Sequence, residues 1–232
     1  MKSLPFTKEK IEEIIKSFPT PFHIYDEKGI RENIKSIKKA FSIFDNFKEY
    51  FAIKACPNYQ LLKIFKEEGL GADASSLAEL LLAEKANILG ENIMFSSNET
   101  PINEYAKAKE LGAIINLDDI THIQYVDEQI GLPQLLSFRY NPGPLRGGNA
   151  IIGNPEDAKY GLTREQLFEA YADAKKRGVK RFGLHTMVAS NELNYQYFID
   201  TAKMLFDIAL EIKKSLDISF DFINASLFYL IF

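Results

Sequence analysis

Apolar positions in this chain first recur at helical spacing and then fall into short runs. Ile11, Ile14, Ile15 and Phe18 lie on one stripe of residues 7–18, with Thr7 at the cap, which predicts an amphipathic helix. Pro19 and Pro21 stop it. A short strand at Phe22–Tyr25 leads through Asp26 into a second helix near residues 27–43. The period then changes. Apolar runs at 50–55, 70–74, 92–96, 113–117, 134–140, 181–188 and 218–224 alternate with longer amphipathic stretches rich in lysine and glutamate, a pattern of strands joined by helices. Helix-start chemistry agrees: Ser76 with Glu79 and Thr163 with Gln166 match capping boxes, and Thr100-Pro101 places proline at a first helical position.

Such alternation implies a parallel α/β sheet, closed as a (β/α)8 barrel of the TIM type or open and doubly wound; periodicity alone does not separate the two. No dinucleotide-type glycine fingerprint follows the first strand. Seven strands are countable, and a longer insertion at 141–163 follows the fifth. After the seventh, the chain runs into the apolar tail Ala225–Phe232 with no helical pattern. The segments expected are an N-terminal helix and strand at 1–26, a barrel region at 27–224 and a tail at 225–232.

Composition narrows the function classes. A net charge of −4 over 232 residues gives no electrostatic footprint for nucleic acid, so acidic ligands require local basic groups. The single cysteine, Cys56, excludes an intramolecular disulfide and fits a reducing compartment, and three scattered histidines offer no zinc cluster. The first residues, MKSLPFTKEK, are charged throughout and lack a signal-peptide core, and no apolar segment reaches membrane-spanning length. A cytoplasmic protein with no membrane and no nucleic-acid partner is expected.

Lys54 is the most informative residue. In Tyr50-Phe51-Ala52-Ile53-Lys54-Ala55-Cys56-Pro57-Asn58 it interrupts an apolar, strand-like run just before a turn. Alternation along a strand puts Ala52, Lys54 and Cys56 on one face. A buried ammonium must pair, lose its proton or be consumed as an imine, and the last two are what Schiff-base chemistry needs. The plain structural alternative is an amine that snorkels into water at a strand end. Other groups lie at the expected carboxyl ends of strands, where barrels gather chemistry: Asp73 with Ser75 and Ser76, Ser96 and Ser97, Arg139 with Asn141, His185 through Ser190, and Asn224. Each has a structural reading of its own, as a helix cap, a salt bridge, turn chemistry or a hydrogen-bonded core histidine. Cys56, Met187 and Met204 read as packing.

Taken together, YFAIKACPN, GLGADASSLAEL, FRYNPG, KYGL and GLHTMVAS, in this order and spacing, resemble the barrel half of the pyridoxal-phosphate-dependent diaminopimelate decarboxylases. These stand in a wider group with ornithine and arginine decarboxylases and, more distantly, alanine racemase. The likeness runs from about Thr20 to Asn224. It implies a TIM-type barrel, pyridoxal 5'-phosphate as cofactor, Lys54 as the catalytic lysine that condenses with it, and a small amino acid as substrate. It further implies that Asp73 lies near the cofactor, that Arg139 and Ser190 approach its ring oxygen or phosphate, and that His185 and Asn224 belong to the cofactor-binding wall. Family members are homodimers.

Two departures accompany the resemblance. Where relatives place a second histidine that stacks on the cofactor, followed by glycine and serine, this chain has Met187, Ala189 and Ser190. A thioether can pack against an aromatic face. Where relatives carry a run of glycines after the seventh strand, this chain reads Ala225-Ser226-Leu227. The resemblance therefore implies an incomplete barrel of about seven strands, without the last strand, the acid that pairs with the pyridine nitrogen and the C-terminal β domain. A weakly active or inactive fragment of a lysine-pathway enzyme is expected. The alternatives are a decarboxylase for ornithine, arginine or a carboxylated polyamine, and a non-catalytic pyridoxal-phosphate-binding protein.

Overall fold

The structure, a computed structural model, describes residues 5–148, 153–158, 160–189 and 192–225. It divides at Phe47/Lys48 into two compact units. In the first, α1 (Lys8–Ser17) starts at Thr7, whose hydroxyl accepts from the Lys10 amide, and α2 (Glu27–Ala40) buries Ile30 and Ile34. The α2 helix ends three residues before its expected boundary, and beyond it the Phe41 and Phe47 rings stack at 4.4 Å. Phe22–Tyr25, expected as a strand, joins no ladder among the described residues. A strand is defined by its partner, and local β-propensity supplies none.

The second unit is a seven-stranded parallel sheet in sequential order: β1 (Tyr50–Ala52), β2 (Gly71–Ala74), β3 (Ile93–Phe95), β4 (Ile114–Leu117), β5 (Leu135–Tyr140), β6 (Arg181–Thr186) and β7 (Phe220–Ala225). Between them run α3 (Tyr59–Glu67), α4 (Leu77–Lys85), α5 (Ile102–Glu110), α6 (Thr121–Ile130), α7 (Arg164–Lys176) and α8 (Tyr195–Leu216). Sequential order with parallel pairing is a barrel's connectivity, which decides against the doubly wound alternative. The Thr163–Gln166 capping box closes in both directions. At Ser76 only half of it forms: Ser76 accepts from the Glu79 amide, while the Glu79 carboxylate takes the Ser75 amide at 2.9 Å. Pro101 stands at the cap of α5, one position before the expected site.

The sheet curls. Arg181, at the start of β6, reaches Glu91 just ahead of β3 and also pairs with Asp221 on β7 at 2.6 Å. Tyr50 on β1 and Lys48 donate to the Glu91 carbonyl at 2.7 and 3.0 Å. Strands far apart in the sheet thus meet around one residue at their amino ends. Inside the curl, Met94, Ile114 and Leu135 form a buried cluster with Tyr50 and Phe222 packed against it. Two glycines make room for those rings. A Cβ on Gly183 would stand 2.0 Å from the Phe222 ring, and one on Gly71 would stand 2.5 Å from the Tyr50 ring. On the outer side, Phe138, Phe182 and Phe220 meet the buried Tyr171 ring edge-on, and the Tyr171 hydroxyl donates to the Gly183 carbonyl at 2.7 Å.

Among the described residues, no helix is long and apolar enough to cross a membrane, and no group of three or more His, Cys, Asp or Glu could hold a metal.

Candidate active site

Alternation along the strands decides which side chains share the interior. Tyr50, Met94, Ile114, Leu135 and Phe222 point inward at the lower end, and Gly71 and Gly183 face two of them. Two residues further along each strand, the same face carries Ala52, Asp73, Ser96, Asn116, Ser137, His185 and Asn224, with Arg139 one further step up β5. Four of the candidate residues therefore converge at the carboxyl ends of β2, β5, β6 and β7. Arg139 is paired in register with His185, and His185 with Asn224.

Lys54 is placed differently from its expectation. The strand β1 ends at Ala52, and Ile53–Ala55 turn into a short 3-10 helix that leaves Lys54 exposed. Strand alternation therefore does not reach position 54, which stands exposed where β1 ends. Its charge is still felt in the interior, since it favours the ionised form of Asp73 and disfavours protonation of His185.

Asp73 is half-buried and accepts from the Ser96 hydroxyl at 2.6 Å. Burial pushes its carboxyl up to about 6, against the opposing pull of Ser96, Lys54 and Arg139. It does not cap α4; Ser76 does. His185 is buried, and burial together with the cations of Arg139 and Lys54 holds its imidazole neutral. Its Nδ1 has no hydrogen-bond partner. Arg139 is 5% exposed; its Nη1 donates to Asn98 Oδ1 at 3.1 Å and lies 3.0 Å from Asp118 Oδ1, while its Nε is unpartnered. The Tyr160 ring sits 5.3 Å from its guanidinium carbon. Asn224 is half-buried. Ser190 lies outside the described residues, as does the tail from Ser226 onward. Met187, half-buried, lines a small cleft with Arg139, Asn141, Pro155 and Tyr160.

The insertion at 141–163 is anchored by Asn141, whose Nδ2 donates to the Pro155 and Tyr160 carbonyls at 3.0 and 3.2 Å and whose Oδ1 accepts from the Gly143 amide. Ser96, Asn98, Asp118 and Tyr160 complete the surroundings of Asp73 and Arg139. Of these, Ser96 was a sequence candidate because it sits at a strand end, and Tyr160 falls in the KYGL segment that carries the resemblance. Asn98 and Asp118 reach Arg139 across 41 and 21 residues of chain, and no local pattern marks such contacts.

Residues 27–225 match the family described as the pyridoxal-binding domain of the pyridoxal-dependent decarboxylases. The chain belongs to this family. It is 34% identical to Protein TabA of Pseudomonas amygdali pv. tabaci, over 92% of this chain and 50% of that protein. It is 30% identical to the diaminopimelate decarboxylase of Methanothermobacter thermautotrophicus, over 91% of this chain and 50% of that one. Among solved structures, diaminopimelate decarboxylase from M. jannaschii in complex with L-lysine superposes with a TM-score of 0.83 at 24% identity, covering 92% of this chain and 52% of that one. A Helicobacter pylori diaminopimelate decarboxylase complexed with L-lysine gives 0.77 at 24%, covering 92% and 55%. The chain thus spans about half the length of the curated relatives it matches.

The residues present fit a pyridoxal group. A phosphorylated aldehyde needs an amine at the mouth, cationic or N–H donors for its oxygens and a wall for its ring. Lys54 offers the amine. The unpartnered Arg139 Nε and the unpartnered, buried His185 Nδ1 are polar atoms for which the protein supplies no hydrogen bond.

Proposed function

We propose that this chain is the cofactor-binding barrel region of an amino-acid decarboxylase that uses pyridoxal 5'-phosphate. In this reading residues 27–224 form that region, Lys54 is the attachment lysine, and Asp73, Arg139, His185, Ser190 and Asn224 surround the cofactor. The observation that carries it is the convergence of Asp73, Arg139, His185 and Asn224 on one interior face beside an accessible lysine, in a chain of the pyridoxal-binding family.

Bound pyridoxal phosphate supplies an electron sink for the pair left on Cα when carbon dioxide departs. The chain's own residues bind and orient. Lys54, exposed at the mouth, offers its Nζ for attachment. Arg139 offers a fixed guanidinium to an anionic oxygen. His185, kept neutral, presents ring nitrogens without adding charge, and Asp73 balances the ammonium of Lys54. The half-buried thioether of Met187 offers a polarisable surface to an aromatic ring.

The preferred substrate is meso-diaminopimelate, decarboxylated to lysine, in keeping with the diaminopimelate decarboxylases at 28–30% identity. A second reading, another amino-acid substrate, is favoured by the higher identity to TabA and by the 28% identity to an L-glutamyl-[BtrI acyl-carrier protein] decarboxylase.

The test is borohydride reduction of the chain with pyridoxal phosphate, followed by peptide mapping. Label on the peptide containing Lys54, abolished in Lys54→Ala, is the expected result. Label elsewhere, or none, ends the proposal. Substrate class is then read from carbon dioxide release with each amino acid.

A further inference from the structure

Arg139 is a long, flexible cation with its guanidinium buried at the mouth of the site, and a buried cation keeps one position only where something charged fixes it. Asp118 supplies that charge. It follows β4 directly, its side chain is 6% exposed like that of Arg139, and its Oδ1 stands 3.0 Å from Arg139 Nη1. The contact is a charge pair without aligned hydrogen-bond geometry, so it sets the position of the guanidinium while leaving the Arg139 Nε proton unused. Two further groups frame the same cation: Asn98 Oδ1, after β3, accepts from Nη1 at 3.1 Å, and the Tyr160 ring lies 5.3 Å from the guanidinium carbon. The backbone ties this frame together. The Asp118 carbonyl accepts from the Gly161 amide at 2.9 Å, and the Arg139 carbonyl accepts from Leu162 at 2.7 Å. One acidic residue thus anchors the cation through its side chain and the loop bearing Tyr160 through its backbone.

We infer that Asp118 is a positioning residue for cofactor binding, acting through Arg139: it holds the guanidinium so that the unpartnered Nε–H faces the site. The inference rests on the proposed function for the identity of the ligand, but the positioning itself is a property of the chain alone.

Two measurements on the 232-residue chain test the parts separately. Without cofactor, 15N spectra of the arginine side chains should show, beside those of other paired arginines such as Arg181, a slowly rotating guanidinium that is absent in Arg139→Gln and therefore assigned to Arg139. This signal should be lost in Asp118→Asn and kept in Asp118→Glu. With pyridoxal phosphate titrated by absorbance, Asp118→Asn should weaken binding at least about tenfold, the equivalent of one charge-assisted contact. In an Arg139→Gln background the same substitution should change affinity by less than about twofold, since an effect that passes through a missing partner disappears. The double variant carries no unpaired buried cation, so it also guards against loss of folding in the single one; melting is followed for all. A persistent Arg139 signal in Asp118→Asn, or an equal loss of affinity with and without Arg139, overturns the inference. Failure of the unsubstituted chain to label at Lys54 ends the proposed function and the cofactor half of the inference, while the spectra still judge the positioning.

Discussion

Replacing Asp73 by asparagine should stabilise the protein, and by an amount that depends on pH in a defined direction. Burial lifts the Asp73 carboxyl from its ordinary 3.8 to about 6 even with Ser96, Lys54 and Arg139 favouring its charge. Between these values the folded state holds a proton that the unfolded state has released, so stability falls as pH rises from about 4 to about 6 and stays reduced above. At about 1.36 kcal/mol per decade, the lift corresponds to roughly 3 kcal/mol as an upper bound, which the partial solvent exposure of the side chain reduces. Asparagine keeps an acceptor for the Ser96 hydroxyl and removes the ionisation. Denaturant midpoints of the two proteins should therefore coincide near pH 4 and separate in favour of Asp73→Asn by pH 7.5. Comparing the two cancels the opposite trend from His185, whose neutral folded state loses stability as pH falls through the ordinary histidine value. A gap that is constant with pH, or that favours the aspartate at pH 7.5, would refute the reasoning and show that Lys54 and Arg139 outweigh desolvation.

Two further outcomes follow from packing. Gly183→Ala puts a methyl 2.0 Å from the Phe222 ring and should destabilise by about 1–3 kcal/mol in denaturant melts, with part of the loss recovered by Phe222→Leu in the same chain; an unchanged midpoint would mean the interior is looser than described. On α8, Phe206 and Leu210 are 53% and 52% exposed, one turn apart, on the side away from the buried Leu205, Ile208, Ala209 and Ile212. Phe206→Glu with Leu210→Glu should leave the stability measured in denaturant melts within about 0.5 kcal/mol of the parent; a large loss of stability would show that the stripe is packed.

What could be read in the sequence was what local spacing encodes. The Thr163 box, the Ser76 cap and most of the apolar runs became elements because caps and alternation act over a few residues. Strand ends were legible for Asp73, Arg139, His185 and Asn224, and the register of the folded sheet then sets them on one face. Two readings failed where local pattern was not enough. Phe22–Tyr25 has strand composition but no neighbour to pair with, and Lys54 lies beyond the point where β1 turns into a 3-10 helix. Asp118 and Asn98 look like ordinary loop residues until folding brings them to Arg139. Glu91 and Arg181 meet across 90 residues where the sheet curls. Their roles come from long-range closure, which spacing does not record.

The electrostatics of the site also bear on how an anionic cofactor would be held. Two cations, Lys54 and Arg139, are matched by two carboxylates, Asp73 and Asp118, each raised to about 6 by burial and so ionised at neutral pH. A site balanced in this way, on a chain of net charge −4, exerts little net attraction on an anion from a distance. Binding must instead draw on buried polar atoms that lack a partner, the Arg139 Nε and His185 Nδ1. Interactions of this kind act at contact and are screened weakly, whereas attraction by net charge decays over a Debye length of about 8–10 Å. Raising salt from about 50 to about 300 mM should then change the affinity for pyridoxal phosphate by less than about threefold, far less than the loss expected from Asp118→Asn. A titration in which salt weakens binding as much as that substitution does would mean that net charge, and not the orientation of Arg139, holds the ligand.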